Sequence, residues 1–442
     1  MPHKALLTLP SLPTKLRLQP ICASMANARP DVRKEDIVIV GAGIAGLTTA
    51  VALQRVGIGS VVLEQADSLR TGGTSLTFFK NGWKVLDAIG VGSELRTQFL
   101  ELQGDVRKLM ALLVTVQERK IRNGSHFNAV PVIKILEEDQ SKSQYMSCFH
   151  FSHSFVSTVY LVTPEECMQN QLCRILVKSE YGRELCSFKF KDEDESQEVR
   201  AVERRVLLET LAKQLPPDAI SLCSKLKNIE RSENDEIMLK LEDESQISAK
   251  IVIACDGIRS PAAKWMGFRD PRYVGHCAIR GLGFYPNGQP FEPKVTYVYG
   301  RGVRAAYVPV SPTKVYWFVC FNRPSPGPKI TDASILREET EKLVKDWPTE
   351  LLNIIKSTPD NTIIRTPLVD RWLWPGINPP ASRGNVVLVG DAWHPMTPNL
   401  GKLDNPVVCS LRNNVILPKF VRLGPMLEHT NFDFEPLHLD SV

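Results

Sequence analysis

Across 442 residues, 54 lysines and arginines stand against 49 acids, for a formal charge of +5, with 43% hydrophobic and 23% charged residues. This ordinary globular balance offers no concentrated basic surface for nucleic acid and no apolar run long enough to cross a bilayer. Ten widely spaced cysteines do not form a dense disulfide framework and favour a reducing compartment, and the length allows two large domains or one with additions.

Residues 1–35 read as a leader. The first thirty carry Lys4, Lys15, Arg17 and Arg29 and no acid before Asp31, the composition of an organellar transit peptide or of a disordered tail. An organelle such as the chloroplast is one expected location and the cytoplasm the other. The next stretch, Asp36 to Gln65, is read as strand, glycine turn, helix and strand, the opening of a dinucleotide-binding βαβ unit. Gly41 permits the tight turn, Gly43 lets backbone approach a pyrophosphate, and Gly46 lets the helix lie close on the sheet. Glu64 ends the second strand 23 residues after Gly41, where an acid accepts ribose hydroxyls. The motif leaves FAD and NAD(P) both open.

Gly72 and Gly73 form a connection on the cofactor side, followed by one helix-like stretch with Val85, Leu86 and Ile89 on its apolar face. Residues 36–104 thus form the first part of the nucleotide-binding domain. From Asp105 to Leu176 periodicity is poor, and the segment reads as an atypical, poorly ordered insertion. It holds Cys148, His150, His153, Cys167 and Cys173, which lack the paired spacing of a zinc site, so no metal is expected. Residues 177–275 begin with a hairpin turning at Tyr181 and Gly182. An amphipathic helix follows from Glu203 to Lys213, with Leu207, Leu208 and Leu211 inward, and then strands at Ile237–Leu241 and Ile247–Ala254. The second strand runs into Asp256 and Gly257, either a ligand contact at a strand's carboxyl end or a plain turn.

Residues 276–362 read mainly as antiparallel sheet and helix, a second domain over the ligand crevice. Arg280, Tyr299, Tyr307 and Trp317 are candidates for its substrate-facing roof, and sheet core is their alternative. Residues 363–401 return to the nucleotide-binding domain through a buried strand, Val386 to Val389, ending at Gly390 and Asp391 before His394 and Pro395.

Four stretches in this order, GAGIAG at Gly41 to Gly46, Arg204 with Leu207 and Leu211, ACDGIRS at Ala254 to Ser260, and GDAWHPMTPNLG at Gly390 to Gly401, resemble the signatures of the FAD-dependent aromatic hydroxylase family, typified by p-hydroxybenzoate hydroxylase. The likeness is closer to plant FAD-dependent monooxygenases related to zeaxanthin epoxidase. The resemblance implies an α/β fold, an FAD-binding Rossmann-like domain of the glutathione-reductase type with an interleaved antiparallel substrate domain. It further implies that Gly41, Gly43 and Gly46 hold the FAD pyrophosphate and Glu64 the adenosine ribose. Arg204 contacts the cofactor, Asp256 and Gly257 belong to a motif for FAD and NAD(P)H, Gly390 and Asp391 meet the ribityl or phosphate region, and Pro395 lies against the isoalloxazine. The implied reaction hydroxylates or epoxidises a small organic substrate with O2 and NAD(P)H. No catalytic side chain is singled out and His394 is given no acid or base role. The oligomeric state stays open.

Two departures stand against the resemblance. The segment from Asp105 to Leu176 has no counterpart in relatives and reads as translated intervening sequence. After Gly401 relatives continue into a small-residue helix whose N-terminus faces the flavin, whereas residues 402–442 here form an atypical tail expected to give no helical packing in its place. A catalytically impaired flavin-binding isoform is therefore the alternative reading, and a classical NAD(P)-dependent dehydrogenase a weaker third.

Overall fold

In the computed structural model the described residues are 32–69, 75–101, 173–232, 234–373, 377–397 and 406–419. Residues 1–31, Gly72, Gly73, nearly all of the insertion with Cys148, His150, His153 and Cys167, and Gly401 lie outside them. The leader expected to run to residue 35 is shorter, because Arg33 to Glu35 already pair with Ile247 to Ala249 in the first sheet.

Strand β1 (Arg33–Val40) ends in the buried run Val38, Ile39 and Val40, the continuous apolar text of a strand covered on both faces. Helix α1 (Ile44–Arg55) lays Leu47, Ala50 and Val51 on the sheet, and β2 (Val61–Leu63) pairs parallel with β1. After β3 (Ser75–Phe78), the single helix expected from the sequence is two, α2 (Lys80–Ala88) and α3 (Gly92–Glu101). Gly90, at φ +76°, turns the chain between them while Trp83, Leu86, Ile89 and Leu95 stay buried together. The hairpin of β4 (Arg174–Ser179) and β5 (Glu184–Lys189) turns at Tyr181 and Gly182 as expected. It begins before Val177, because Arg174 to Leu176 already pair with Lys189 to Ser187.

Strand β6 (Arg200–Glu203) pairs with β3 and feeds α4 (Arg204–Lys213), whose Leu207, Leu208 and Leu211 are fully buried in one cluster with Leu47 of α1. Then come β7 (Ile220–Ser221), β8 (Leu226–Arg231), β9 (Ile237–Leu241), β10 (Gln246–Ala254) and the short α5 (Pro261–Trp265). The second sheet takes β11 (Arg272–Phe284), β12 (Lys294–Tyr299), β13 (Val303–Ser311) and β14 (Lys314–Asn322). It is followed by α6 (Ala333–Leu343), α7 (Thr349–Lys356), β15 (Ile364–Asp370), β16 (Ser382–Arg383) and β17 (Val386–Leu388).

Among the described residues these strands form two main sheets. The first runs β16-β17-β10-β1-β2-β7, with the β8–β9 hairpin attached to β10, and the pairs joining β17, β10, β1, β2 and β7 are parallel. The second runs β15-β11-β14-β13-β12-β4-β5 and is antiparallel except where β4 lies beside β12. Sequence segments alternate between the sheets, which is the interleaved α/β architecture anticipated above. The boundary expected at residue 363 moves, because β15 hydrogen-bonds to β11 from Ile364 to Asp370 and so closes the antiparallel sheet before the chain returns.

The tail also departs from expectation. Residues 406–419 are helical, as α8 (Pro406–Leu411), a π turn over Arg412–Ile416 and a last turn over Leu417–Lys419. They pack on the far edge of the second sheet. Leu417 meets Val177, Leu185 and Tyr299, the Arg412 guanidinium lies 4.9 Å from the Tyr299 ring, and Arg183 donates to Asn414 Oδ1 at 2.7 Å. Helical packing is present after all, because a stacked cation and one leucine find an apolar sheet edge away from the nucleotide-binding turn.

Candidate cofactor site and active site

The register that pairs Val40 with both Leu63 and Ala254, and Ala254 with Leu388, brings the carboxyl ends of four parallel strands to one edge. Gly41, Glu64, Cys255 with Asp256, and Val389 with Gly390 leave the sheet there, the edge where open α/β sheets receive ligands. Gly41 adopts φ +105° and donates its N–H to Leu63 O at 2.7 Å, and a Cβ on it would stand 2.5 Å from Cys255 O. A Cβ on Gly46 would lie 1.9 Å from Gly41 O, so α1 can approach the turn only with glycine here. Gly390, at φ +62°, brings its strand end against Ala45, 3.3 Å from where its own Cβ would be. Gly43 differs: nothing lies within 4 Å of its would-be Cβ. It is the N-cap of α1, no side chain caps that helix, and its first turn holds no acid, so the N–H groups there remain directed at the open side.

Glu64 is only 7% exposed, and its two carboxylate oxygens accept from Ala42 N and Ala66 N, each at 3.0 Å. Those bonds aim the group and leave further lone pairs for hydroxyl donors. Asp256 accepts from Ala262 N at 3.3 Å through one oxygen, while the other is buried with no partner among the described residues. Burial pushes its pKa up, opposed by the Ser260 hydroxyl and the positive charge of Arg371. Gly257 follows at φ +80°, and Ser260 caps α5 by accepting from Ala263 N at 2.8 Å. Arg204 opens α4, half-buried, on the helix that packs against α1.

Beyond β17, Gly390 to Ala392 form one 3-10 turn whose Gly390 O accepts from Trp393 N and His394 N, both at 3.0 Å. Asp391 is exposed and Pro395 buried, and His394 is exposed with its ring edge-on to Trp393 at 5.1 Å. Sequence reading missed what fastens this loop. Arg371 donates through Nη1 to Ala392 O at 2.6 Å and Trp393 O at 2.9 Å, through Nε to Arg269 O at 3.1 Å, and through its backbone N–H to Pro395 O at 3.1 Å. Its guanidinium also lies 5.3 Å from the Phe268 ring, and burial lowers its pKa. The clue, an arginine directly after a β run, was too common to single out. A recess bounded by Arg371, Trp372, His394, Pro395 and Met396 opens beside the loop.

Glu64, Asp256 and Asp391 thus follow three of four neighbouring strand ends, and Arg204 opens the helix that packs on α1. The roof candidates divide. Arg280 and Tyr299 stand on the face turned away from α6 and α7, whereas Tyr307 and Trp317 belong to the core against those helices, with Trp317 Nε1 donating to Thr358 Oγ1 at 2.8 Å. Strand alternation separates them. Among the described residues no cluster of three or more His, Cys, Asp or Glu has metal-binding geometry.

The edge suits an extended dinucleotide. It offers open space at Gly43, an uncapped helix N-terminus for phosphate, an oriented Glu64 with spare acceptor capacity, and a buried Asp256 oxygen still lacking a donor. A family model described as an FAD binding domain matches residues 34–214. Monooxygenase 2 of Arabidopsis thaliana is 30% identical over 367 residues, 83% of this chain and 72% of that protein. The chloroplastic zeaxanthin epoxidase of Nicotiana plumbaginifolia is 27% identical over 209 residues, 46% of this chain and 30% of its own length. Among solved structures, Klebsiella pneumoniae HpxO complexed with FAD and uric acid superposes with a TM-score of 0.58 at 19% identity, covering 90% of this chain and 83% of that one.

Proposed function

The chain belongs to the FAD-dependent aromatic hydroxylase-like family, and from that premise we propose that it is a monooxygenase using NAD(P)H and O2 to hydroxylate or epoxidise a small organic molecule. The carrying observation is the meeting of four strand ends around an uncapped helix N-terminus. In this reading Gly41, Gly43 and Gly46 admit the FAD pyrophosphate to the N–H groups of α1, Glu64 accepts from the adenosine ribose, and Arg204 adds positive charge near phosphate. The N–H and O–H groups of the cofactor supply the donor that Asp256 lacks. Gly390 and Asp391 take the ribityl side, and Pro395, held by Arg371, presents a rigid apolar surface to the flavin ring. Bound FAD supplies the redox chemistry, passing two electrons from NAD(P)H to O2 so that one oxygen atom enters the substrate and the other leaves as water. The protein's own work is to orient substrate and keep water away.

Purified chain titrated with FAD tests this: a flavin spectrum that shifts on binding, with NAD(P)H oxidation stimulated by substrate, is expected. Failure to bind added FAD overturns it. One observation favours the impaired isoform as a second reading. The helix from residue 406 packs beside Tyr299 on the second sheet and not at the strand-end edge, so it does not set a helix N-terminus against the flavin. FAD binding without NAD(P)H oxidation selects that reading. The first thirty residues, which carry no acid, and the chloroplastic relative support an organellar location, read out by fusing residues 1–31 to a fluorescent reporter. Among the described residues no helix is long and apolar enough to cross a membrane.

A further inference from the structure

Strand β6 lies between the two cores. Alternation turns Val202 into the cluster that holds Leu47 and Leu207, and turns Val199 and Ala201 toward Leu282, Val308 and Val310 of the second sheet. Glu203, two residues beyond Ala201, continues that second side and is 8% exposed. Its carboxylate accepts from Lys314 Nζ at 2.7 Å, a bond that spans 111 residues of sequence. Lys314 opens β14, opposite Phe284 of β11. The two side chains are 11% and 31% exposed, so water screens the pair only in part. Apolar residues of matching volume would hold such a joint as well, because desolvating two charges offsets most of their attraction. Packing therefore does not explain why this joint is ionic.

The element that Glu203 introduces does explain it. Glu203 is the N-cap of α4, where an acid's ordinary partner is an N–H group of the first turn, yet no side-chain bond caps this helix. The next two residues, Arg204 and Arg205, stand at the positive end of the helix dipole, which favours anions and works against cations. Arg205 is exposed and donates to Glu209 Oε1 at 2.8 Å. Arg204 is half-buried and is the residue read above as adding positive charge near the FAD phosphates. A carboxylate one residue before it subtracts from that charge, and without a counter-ion it would repel a phosphate brought to the same helix end.

We infer that Lys314 is a positioning residue for the cofactor, acting through Glu203. By holding and neutralising that carboxylate from the second sheet, it preserves the positive field of Arg204 and the α4 N-terminus for a diphosphate. The assignment rests on the FAD reading above. It makes the docking of the second sheet a contributor to cofactor affinity before any substrate is bound.

The test titrates FAD, and separately ADP, into the full-length parent chain, Lys314→Gln, Glu203→Gln and the double variant at one fixed ionic strength, followed by calorimetry. Lys314→Gln is expected to weaken both ligands at least about tenfold, because it bares the Glu203 charge. Glu203→Gln, which breaks the same bridge but removes the charge, should bind as tightly as the parent or up to about threefold more tightly. The double variant and Lys314→Arg should both return to within about threefold of the parent. A bridge that only braces the joint gives another pattern, with both single variants losing affinity alike and the double variant no better. That pattern, or Lys314→Gln within about twofold of the parent, overturns the inference. ADP binding with the expected charge pattern in a chain that binds no FAD leaves this assignment standing and removes the monooxygenase reading. FAD binding and NAD(P)H oxidation with no difference among the variants does the reverse, and binding of neither ligand removes both.

Discussion

Gly43 and Gly46 stand three residues apart in surroundings of different kinds. A methyl group on Gly46 collides with the backbone of Gly41, and one on Gly43 enters open space. Gly46→Ala should therefore destabilise the protein itself by about 1–3 kcal/mol or more, as overpacking does. Gly43→Ala should change the stability of FAD-free protein by no more than about 1 kcal/mol yet weaken FAD binding at least tenfold, about 1.4 kcal/mol. Urea unfolding and FAD titration on both variants separate the effects. Asp256 gives a pH signature. Its folded-state pKa is raised chiefly by burial, so its contribution to stability is full below the ordinary carboxylate pKa and is lost as pH rises through the raised value. Asp256→Asn keeps an acceptor for Ala262 N and removes the buried charge. Its melting temperature, measured without FAD, should exceed that of the parent at neutral pH, with the gain shrinking toward zero as pH falls below the ordinary aspartate range.

At the scale of elements, the loop after β17 depends on β15, an element of the other sheet. Arg371→Met removes the donors to Ala392 O and Trp393 O, and each lost hydrogen bond from a charged group is worth about 1.5–3 kcal/mol. The stabilisation that saturating FAD gives in thermal melts should shrink in this variant. The tail helix makes the opposite prediction. Arg412→Ala removes its stacking on Tyr299, which should increase protease cleavage near residue 406 while leaving FAD affinity within about twofold, less than the 1.4 kcal/mol of a tenfold change. The βαβ opening was legible because its signal is local: an apolar strand, three glycines and a terminal acid lie within about thirty residues. The hairpin at Gly182 and the leucine face of α4 were legible for the same reason. Strand β15 was not, since its partner β11 lies some 90 residues earlier and edge pairing leaves no periodic mark in one strand. The tail was misread because its docking depends on the aromatic surface of Tyr299 and on one arginine, which sequence alone does not bring together. The role of Arg371 was hidden because its acceptors are backbone carbonyls, which carry no sequence signature.

At the scale of the whole molecule, the parallel sheet gathers its cofactor edge from three distant parts of the chain. Val38 pairs with Val252 across 214 residues, and Ala254 with Leu388 across 134. The second sheet mixes neighbours, such as β13 and β14 joined by a turn at Pro312 and Thr313, with the distant pairs β4–β12 and β11–β15. Such separations impose an order in time. Loop-closure entropy delays long-range parallel pairing until local hairpins have formed. The strand-end edge that is the candidate nucleotide site is then among the last features assembled, because β17 must dock before Gly390 can close on Ala45. A ligand that binds such a late feature acts on the unfolding step. FAD should slow unfolding in stopped-flow denaturant jumps and leave the refolding rate nearly unchanged, so the cofactor would serve as a latch on a finished fold and not as a template for making it.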